Sequence, residues 1–230
     1  MKRFLVTGAS RGIGRAIAEA LAGEGITLLL HGRDEAALAA TRQLVEAKGG
    51  RATTLAFDLR DRGQINEMVA QANAEPLDAL VNNAGIAVVK PYDALTVDEW
   101  LETLAINVTA PFLLTQQLAP QMPRGSSIVN ILSPAAKTGF PGWSSYCMSK
   151  FALEGFSQSL REELRSSGVR VINIYPSATD TDIWSGVEGE WPREKMIAAH
   201  DVAAAVAYAL AQPATVVVEN VSVASLAGTL

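Results

Sequence analysis

Short apolar runs alternate along this chain with longer stretches in which apolar residues recur every third or fourth position. The runs predict strands and the longer stretches predict helices, because side chains alternate across a strand but share a helix face at that spacing. The predicted strands cover residues 2–6, 26–31, 52–57, 77–81, 127–132, 169–175 and 215–223. The predicted helices begin near Arg15 and cover about residues 35–47, 64–74, 97–121, 146–167 and 202–211.

Strand and helix alternate seven times with no linker, repeat or low-complexity segment. This alternation predicts an α/β fold of three layers, with a seven-stranded doubly wound parallel sheet and helices on both faces. We expect one domain over residues 1–230. Ligands of such sheets bind outside the carboxyl ends of the strands, so the turns that follow the strands are the first place to search for chemistry.

The composition limits the possible partners. The 230 residues carry a net charge of −5, and 49% of them are apolar and 19% charged. An acidic balance argues against nucleic acid as a partner, and no apolar stretch suits a signal peptide or a membrane span. Cys147 is the only cysteine, so we expect no intrachain disulfide and a cytoplasmic location. With His31 and His200 it forms no ligand cluster, and no metal site is expected.

The first strand runs into a glycine-rich turn that opens the first helix. Gly8, Gly12 and Gly14 have the spacing Gly-x-x-x-Gly-x-Gly. Glycines let a backbone turn sharply and approach a pyrophosphate closely, and the helix N-terminus offers free N–H groups to it. Three glycines alone are weak evidence, since glycine-rich turns are common in loops.

Two arginines lie where a dinucleotide would place its adenosine ribose. Arg33 follows the second strand, at a position where many dinucleotide sites have an acidic residue, and Arg11 lies in the glycine turn. A guanidinium suits a 2′-phosphate through charge-assisted hydrogen bonds. The alternative is that both arginines are simply solvated.

Three further side chains form a chemical set. Tyr146 and Lys150 are four residues apart at the start of a predicted helix and therefore share one face. A nearby ammonium favours the phenolate, so we expect Lys150 to lower the pKa of Tyr146 toward useful acid/base work. Ser133 follows a strand and could bond the same substrate oxygen as Tyr146. A surface tyrosine and lysine at helical spacing are the alternative.

Other candidates are more ambiguous. Residues 82–85, Asn-Asn-Ala-Gly, follow a strand and indicate either a tight bend against a ligand or a polar turn. Asn107 lies in the middle of a predicted helix, where a functional amide and a satisfied structural amide are equally plausible. At about 177–200 the helical pattern is lost, which favours a substrate lid, although an ordinary surface connection would give the same pattern.

These residues, in this order, resemble the classical short-chain dehydrogenase/reductases over nearly the whole chain. Thr7-Gly8-x-x-x-Gly12-Ile13-Gly14 is similar to the family's cofactor turn, residues 82–85 to its second signature, and Asn107, Ser133, Tyr146 and Lys150 to its catalytic tetrad. The resemblance implies a Rossmann fold. It also implies that Tyr146 is the general acid and base, that Lys150 lowers its pKa and holds the nicotinamide ribose, and that Ser133 orients the carbonyl. Asn107 would support Lys150 through a water.

The resemblance also implies a set of cofactor contacts. They are Gly8, Ser10, Arg11, Gly12, Ile13, Gly14, Arg33, Asp58, Leu59, Asn82, Ala84, Gly85, Tyr146, Lys150, Pro176, Thr179 and Thr181. A substrate pocket is expected around Ala135, Phe140, Trp143 and Trp184. Two departures from the family pattern bear on the substrate: Ser177 replaces a glycine after the sixth strand, and Pro134 directly follows Ser133.

We therefore expect an oxidoreductase that interconverts a small-molecule carbonyl and a secondary alcohol by hydride transfer and prefers NADP(H) over NAD(H). The alternative is a non-catalytic NADP-binding sensor, although such relatives usually lose the tyrosine or the lysine. Apolar residues spread widely around the helices at 97–121 and 145–167, and together with the resemblance they predict a homodimer or homotetramer.

Overall fold

Seven parallel strands form the central sheet. The computed structural model describes residues 1–187, 189 and 191–228. With a separate two-stranded pair, the described strands are β1 (Lys2–Val6), β2 (Ile26–Gly32), β3 (Arg51–Ala56), β4 (Ala79–Asn82), β5 (Ser127–Ile131), β6 (Arg170–Pro176), β7 (Thr179–Asp180), β8 (Ile197–Ala198) and β9 (Asn220–Val223). The sheet has the order β3-β2-β1-β4-β5-β6-β9, and β7 pairs with β8 separately. The order reverses between β1 and β4, the switch point at which such sheets bind ligands.

Helices cover both faces of this sheet. They are α1 (Gly12–Leu21), α2 (Glu35–Ala47), α3 (Arg62–Ala72), α4 (Val97–Leu104), α5 (Ala110–Leu118), α6 (Ser144–Glu163) and α7 (Ala199–Leu210). Alternate side chains of β1 join different cores: Phe4 and Val6 pack with α1, α2 and α7, whereas Leu5 packs with α3, α5 and α6. The predicted three-layer Rossmann fold is confirmed.

The predicted helix at 97–121 is not continuous. A π-helical turn, Ala105–Thr109, separates α4 from α5, and a 3₁₀ turn, Ala119–Gln121, ends the segment. A single π turn inserts an extra residue without ending the helix, and such turns concentrate at functional sites. The hydrophobic pattern cannot reveal this turn, because the apolar residues on either side keep helical spacing.

The last predicted strand is shorter than expected. Only Asn220–Val223 joins the sheet, parallel to β6, whereas Val216 and Val217 are exposed. Their β-branched side chains suggested a strand, but within the described part of the chain β6 pairs only with residues 220–223. Most other predicted boundaries differ from the observed ones by one to three residues.

Candidate active site

A cleft of about 330 Å³ opens at the carboxyl ends of the central strands. Most of the residues predicted to bind cofactor or substrate line it. They are Gly8, Ser10, Arg11, Gly12, Ile13, Arg33, Asp58, Leu59, Ala84, Gly85, Ser133, Ala135, Phe140, Trp143, Tyr146, Lys150, Pro176, Thr179, Thr181 and Trp184. Gly14, Asn82 and Asn107 do not line it.

The glycine turn lies at one end of the cleft. Gly8 and Gly12 have φ values of 66° and 54°, which L side chains rarely adopt. Gly14 is needed for a different reason, because a Cβ there would lie 2.2 Å from the Gly8 carbonyl oxygen. α1 begins at Gly12 with no side chain capping its first N–H groups. An open turn before an uncapped helix N-terminus fits the pyrophosphate of a dinucleotide.

His31 supports this turn through a contact with Gly8, and no motif in the sequence marks it as a site residue. Its Nδ1 accepts a long hydrogen bond of 3.4 Å from the Gly8 amide, and its Nε2 lies 3.1 Å from the Phe57 carbonyl oxygen. The ring is buried, and burial lowers the pKa of His31 to about 4. It is therefore neutral, with Nε2 donating to Phe57. Only its position at the end of β2 could have indicated this contact.

Positive charge borders the end of the cleft at β2. Arg11 and Arg33 are exposed there, and neither guanidinium has a hydrogen-bond partner among the residues that the structure describes. Asp58 lies nearby, where a hydrogen bond from Arg60 and the charge of Arg33 hold the pKa of its carboxyl below the usual range. Two free guanidiniums beside an open cleft fit an added phosphate.

Tyr146, Lys150 and Ser133 meet in the middle of the cleft. Tyr146 lies in the first turn of α6, and Lys150 lies one turn later, with its Nζ 5.5 Å from the centre of the Tyr146 ring. Lys150 Nζ donates to the Ile131 carbonyl oxygen at 2.8 Å. Ser133 follows β5, and its Oγ accepts from the Ala135 amide at 3.2 Å. The strand end thus fixes both the lysine and the serine beside the tyrosine.

The pKa values of this pair differ from the expectation. Burial raises the pKa of Tyr146 to about 12, although a hydrogen bond with Ser133 opposes the shift. Burial also lowers the pKa of Lys150 to about 8. The expected lowering of the Tyr146 pKa by Lys150 is wrong for the isolated chain, because the buried site penalises both charged forms.

Asn107 lies at the centre of the π turn and is buried. Its Nδ2 donates to the Ile86 carbonyl oxygen at 2.9 Å and to Ser149 Oγ at 3.0 Å, and its Oδ1 accepts from the Ile86 amide at 2.9 Å. The amide therefore joins the π turn to the loop after β4 and to α6, next to Lys150.

The side chain of Asn82, an expected cofactor contact, is buried and does not line the cleft. Its Nδ2 donates to Asn130 Oδ1 at 2.9 Å, inside a row of asparagines at matching positions of β4, β5, β6 and β9. Asn83 faces the cleft instead, and its Nδ2 donates to the Thr7 carbonyl oxygen at 2.8 Å. Successive strand residues point to opposite faces, so the choice between two adjacent asparagines required the structure.

Aromatic residues line the other end of the cleft. Phe140, Trp143 and Trp184 were predicted there, and Trp191 joins them. The predicted lid at 177–200 includes Glu188 and Glu190, which lie outside the described residues. Its described part includes β7, β8 and both of the later tryptophans.

The glycine turn also has the Gly-x-Ser-x-Gly spacing of a hydrolase nucleophile elbow, at Gly8, Ser10 and Gly12. An elbow serine needs a histidine base within hydrogen-bond reach. Both nitrogens of His31 bond backbone groups, and His200 is exposed on α7 beside Asp201. The chain has two histidines, so Ser10 lacks such a base.

Among the residues that the structure describes, no three His, Cys, Asp or Glu side chains are grouped closely enough to hold a metal ion. None of the helices that the structure describes has the length and apolar character needed to cross a membrane.

Comparison with known proteins identifies the family. A family model described as short chain dehydrogenase matches residues 2–190. An uncharacterized oxidoreductase of Staphylococcus saprophyticus is 34% identical over 227 residues, which cover 96% of each chain. Ketoacyl reductase HetN of a Nostoc species is 39% identical over 76% of this chain, which spans only 62% of that protein.

A solved structure agrees. A short chain dehydrogenase from Burkholderia cenocepacia in complex with NADP superposes with a TM-score of 0.88 at 33% identity, covering 97% of this chain and 96% of that one. The chain belongs to the short-chain dehydrogenase/reductase family. It is an oxidoreductase of the class that acts on CH–OH or carbonyl groups.

Proposed function

We propose that this chain, acting as one catalytic domain, interconverts a small-molecule carbonyl and a secondary alcohol with NADP(H), using Tyr146 as the general acid and base. The observation that carries the proposal is the meeting of Tyr146, Ser133 and Lys150 in one cleft with the uncapped glycine turn. A nicotinamide bound there supplies or accepts the hydride.

Each side chain then has a distinct task. In the reduction, Tyr146 gives its phenolic proton to the carbonyl oxygen as negative charge develops on it, and Ser133 donates a hydrogen bond to the same oxygen. The Lys150 ammonium lies beneath Tyr146 and donates a hydrogen bond to the Ile131 carbonyl oxygen. From there it would hold the nicotinamide ribose. Asn107 positions α6 next to Lys150 through Ser149.

The test is removal of the phenol. Tyr146→Phe should lower kcat/KM for carbonyl reduction by at least roughly 100-fold, the lower range for general acid catalysis, while NADPH binding, followed by fluorescence titration, is kept. A Tyr146→Phe variant that retains full activity would refute the mechanism.

We further propose that NADP(H) is preferred over NAD(H), with Arg11 and Arg33 holding the 2′-phosphate. The support is that both guanidiniums border the cleft without a described partner. Charge-assisted hydrogen bonds contribute about 1.5–3 kcal/mol, so Arg33→Ala should weaken NADPH binding roughly 10- to 100-fold. NADH, which has no 2′-phosphate, is the internal control, and equal losses for both cofactors would refute this preference.

A second candidate is an NADP-binding sensor without turnover. A sensor would bind NADPH but show no turnover across a panel of ketones, aldehydes, ketoesters and hydroxy acids, whereas the enzyme would turn over some of them. The intact set of Tyr146, Lys150 and Ser133 favours the enzyme.

We also propose a homodimer or homotetramer in the cytoplasm. Val97, Leu101, Phe112 and Phe151 are apolar and exposed on α4, α5 and α6, which fits an interface between copies of the chain. The only cysteine, Cys147, is free and buried, which suits a reducing compartment. A monomeric mass by light scattering at micromolar concentration would contradict the oligomer, and Leu101→Glu should dissociate it.

A further inference from the structure

Three indoles form a continuous surface beside Tyr146, and we name Trp143, Trp184 and Trp191 the tryptophan wall. The Trp143 ring centre lies 5.5 Å from that of Tyr146, 5.9 Å from Trp184 and 6.0 Å from Trp191. Trp184 and Trp191 lie 4.7 Å apart. These rings therefore offer a contact surface to a substituent next to an oxygen that reaches Tyr146.

The wall is held in place before any substrate arrives. Trp184 Nε1 donates to the Thr179 carbonyl oxygen at 2.8 Å, and β7 pairs with β8 on either side of the segment. Arg193 donates to the Thr181 carbonyl oxygen at 2.8 Å and pairs with Asp180. A preformed surface loses little conformational entropy on binding, so a ligand that packs against these rings keeps most of the contact energy.

Charge at this end of the cleft disfavours anions. The rest of its lining is mainly apolar, including Leu132, Phe140, Ile183 and Val187. Asp182 is the charged side chain that lines this end among the described residues, and it is acidic. Lys150 is bonded to Ile131. Apart from the two arginines at the other end of the cleft, the described cation of the lining is Lys150, which lies beneath Tyr146, so a carboxylate or phosphate packed against the tryptophan wall would lose its hydration there without a cation beside it.

On the proposed function, we propose that the substrate end of the cleft selects neutral carbonyl compounds with an aryl group next to the carbonyl, and the matching aryl alcohols. The tryptophan wall is the specificity-determining element. Offset and edge-to-face aromatic contacts add affinity beyond the buried area, roughly 2- to 10-fold per ring pair.

A quaternary ammonium group is the other ligand that tryptophans commonly recognise, and the ring geometry disfavours it. A cation cage directs several ring faces at one empty space. Here the rings pack against one another, with interplanar angles of 66° and 83° between Trp143 and the other two indoles. Trp184 and Trp191 are too close for a trimethylammonium group to fit between them.

The experiment measures initial rates of NADPH oxidation by the full chain with matched carbonyls. Acetophenone is compared with cyclohexyl methyl ketone, and methyl benzoylformate with the benzoylformate anion. A ketone bearing a trimethylammonium group tests the cation alternative. We expect kcat/KM to be at least roughly 10-fold higher for each neutral aryl member of a pair. Conjugation makes acetophenone less electrophilic than cyclohexyl methyl ketone, so intrinsic reactivity works against the expected result in the first pair. In the second pair the ester activates the ketone, so the first pair is the one free of this bias.

Substitutions of Trp184 test whether the preference for aryl ketones depends on the tryptophan wall. Trp184→Leu should reduce the aryl-to-cyclohexyl ratio at least threefold, and Trp184→Phe, which keeps a ring, should give an intermediate ratio. Trp100→Phe is the matched control, because Trp100 lies on α4 and does not line the cleft, and it should leave the ratio unchanged. NADPH titration of each variant checks that the site is folded. If Trp184→Leu does not fold, the ratio for Trp184→Phe decides the question.

The outcomes separate this inference from the proposed function. Equal efficiency within both pairs, a preference for the cationic ketone, or a ratio unchanged in both Trp184 variants would overturn the inference while carbonyl reduction stands. Absence of reduction with every carbonyl, despite NADPH binding, would overturn the proposed function and this inference with it.

Discussion

Lys150 should make the folded chain less stable than it would be with an apolar residue at the same position. Its side chain is 6% exposed, and burial lowers its pKa from 10.5 to about 8. The ammonium is therefore retained at neutral pH in a place that disfavours charge. Replacing it by methionine, which has similar length and no charge, should raise the free energy of unfolding while removing a proposed catalytic residue.

The size of the effect follows from the pKa. Each unit corresponds to about 1.36 kcal/mol, so the fall to about 8 implies a cost of about 3 kcal/mol at pH 7. Lys150→Met also loses the hydrogen bond to Ile131, which contributes about 1–2 kcal/mol. The variant should therefore be more stable than the original chain by about 1–2 kcal/mol at pH 7.

The sign reverses at high pH. Because the folded pKa lies below the unfolded one, the unfolded chain binds more protons between them, and stability rises with pH across about 8 to 10.5. About 2.5 kcal/mol of the cost should be recovered between pH 7 and pH 10. The variant lacks this recovery, so it should be the less stable protein at pH 10.

Urea denaturation of both proteins at pH 7 and pH 10 measures the difference. Lys2→Met, which removes an exposed lysine, controls for the loss of one positive charge and should leave the pH dependence unchanged. A difference between Lys150→Met and the original chain that stays constant with pH, or a variant already less stable at pH 7, would show that the site does not penalise the ammonium.

Three further predictions concern the scaffold of the site. Gly14→Ala places a methyl group against the Gly8 carbonyl oxygen. It should weaken NADPH binding at least roughly tenfold and lower the free energy of unfolding by about 1–3 kcal/mol, measured by titration and urea denaturation. Gly23→Ala is the control, because its added Cβ has nothing within 4 Å, and it should change neither quantity. Asn130→Ala leaves the bonded asparagines of the buried row unsatisfied and should cost about 2–4 kcal/mol in urea denaturation, and a loss below about 1 kcal/mol would contradict that role. His31, with its pKa lowered to about 4, should make stability fall by up to about 3 kcal/mol as pH drops from 6.5 to 4, and a His31→Gln variant that shows the same fall would refute this.

The sequence predicted those parts of the fold and of the cleft whose conformation depends on residues close together in the chain. Asp34 caps α2 through a hydrogen bond from the Ala37 amide to its side chain, and the predicted helix 35–47 has the observed bounds of α2. Gly8 and Gly12 have positive φ values, as the glycine turn required. These features depend on residues within a few positions of one another.

Other features depend on packing between distant segments. The π turn around Asn107 is stabilised by bonds to Ile86 and Ser149, which are distant in sequence. The role of His31 depends on Gly8 and Phe57, which meet only when β1, β2 and β3 align. The direction of the Tyr146 pKa shift depends on how much of the ring is desolvated, and no spacing of residues encodes that.

The pKa values of the central pair bear on the direction of the reaction. Tyrosine and lysine normally titrate close together, but burial raises the pKa of Tyr146 to about 12 and lowers that of Lys150 to about 8. The phenol therefore keeps its proton at neutral pH and needs no prior ionisation to reduce a carbonyl, whereas alcohol oxidation needs the phenolate. The rate of oxidation with NADP⁺ should rise from pH 7 to about pH 8 and then level off, because Lys150 loses its ammonium charge above that pH, while the rate of reduction with NADPH should not rise. A plateau in oxidation already at pH 7 would show that the positive charge of the bound nicotinamide outweighs burial at Tyr146.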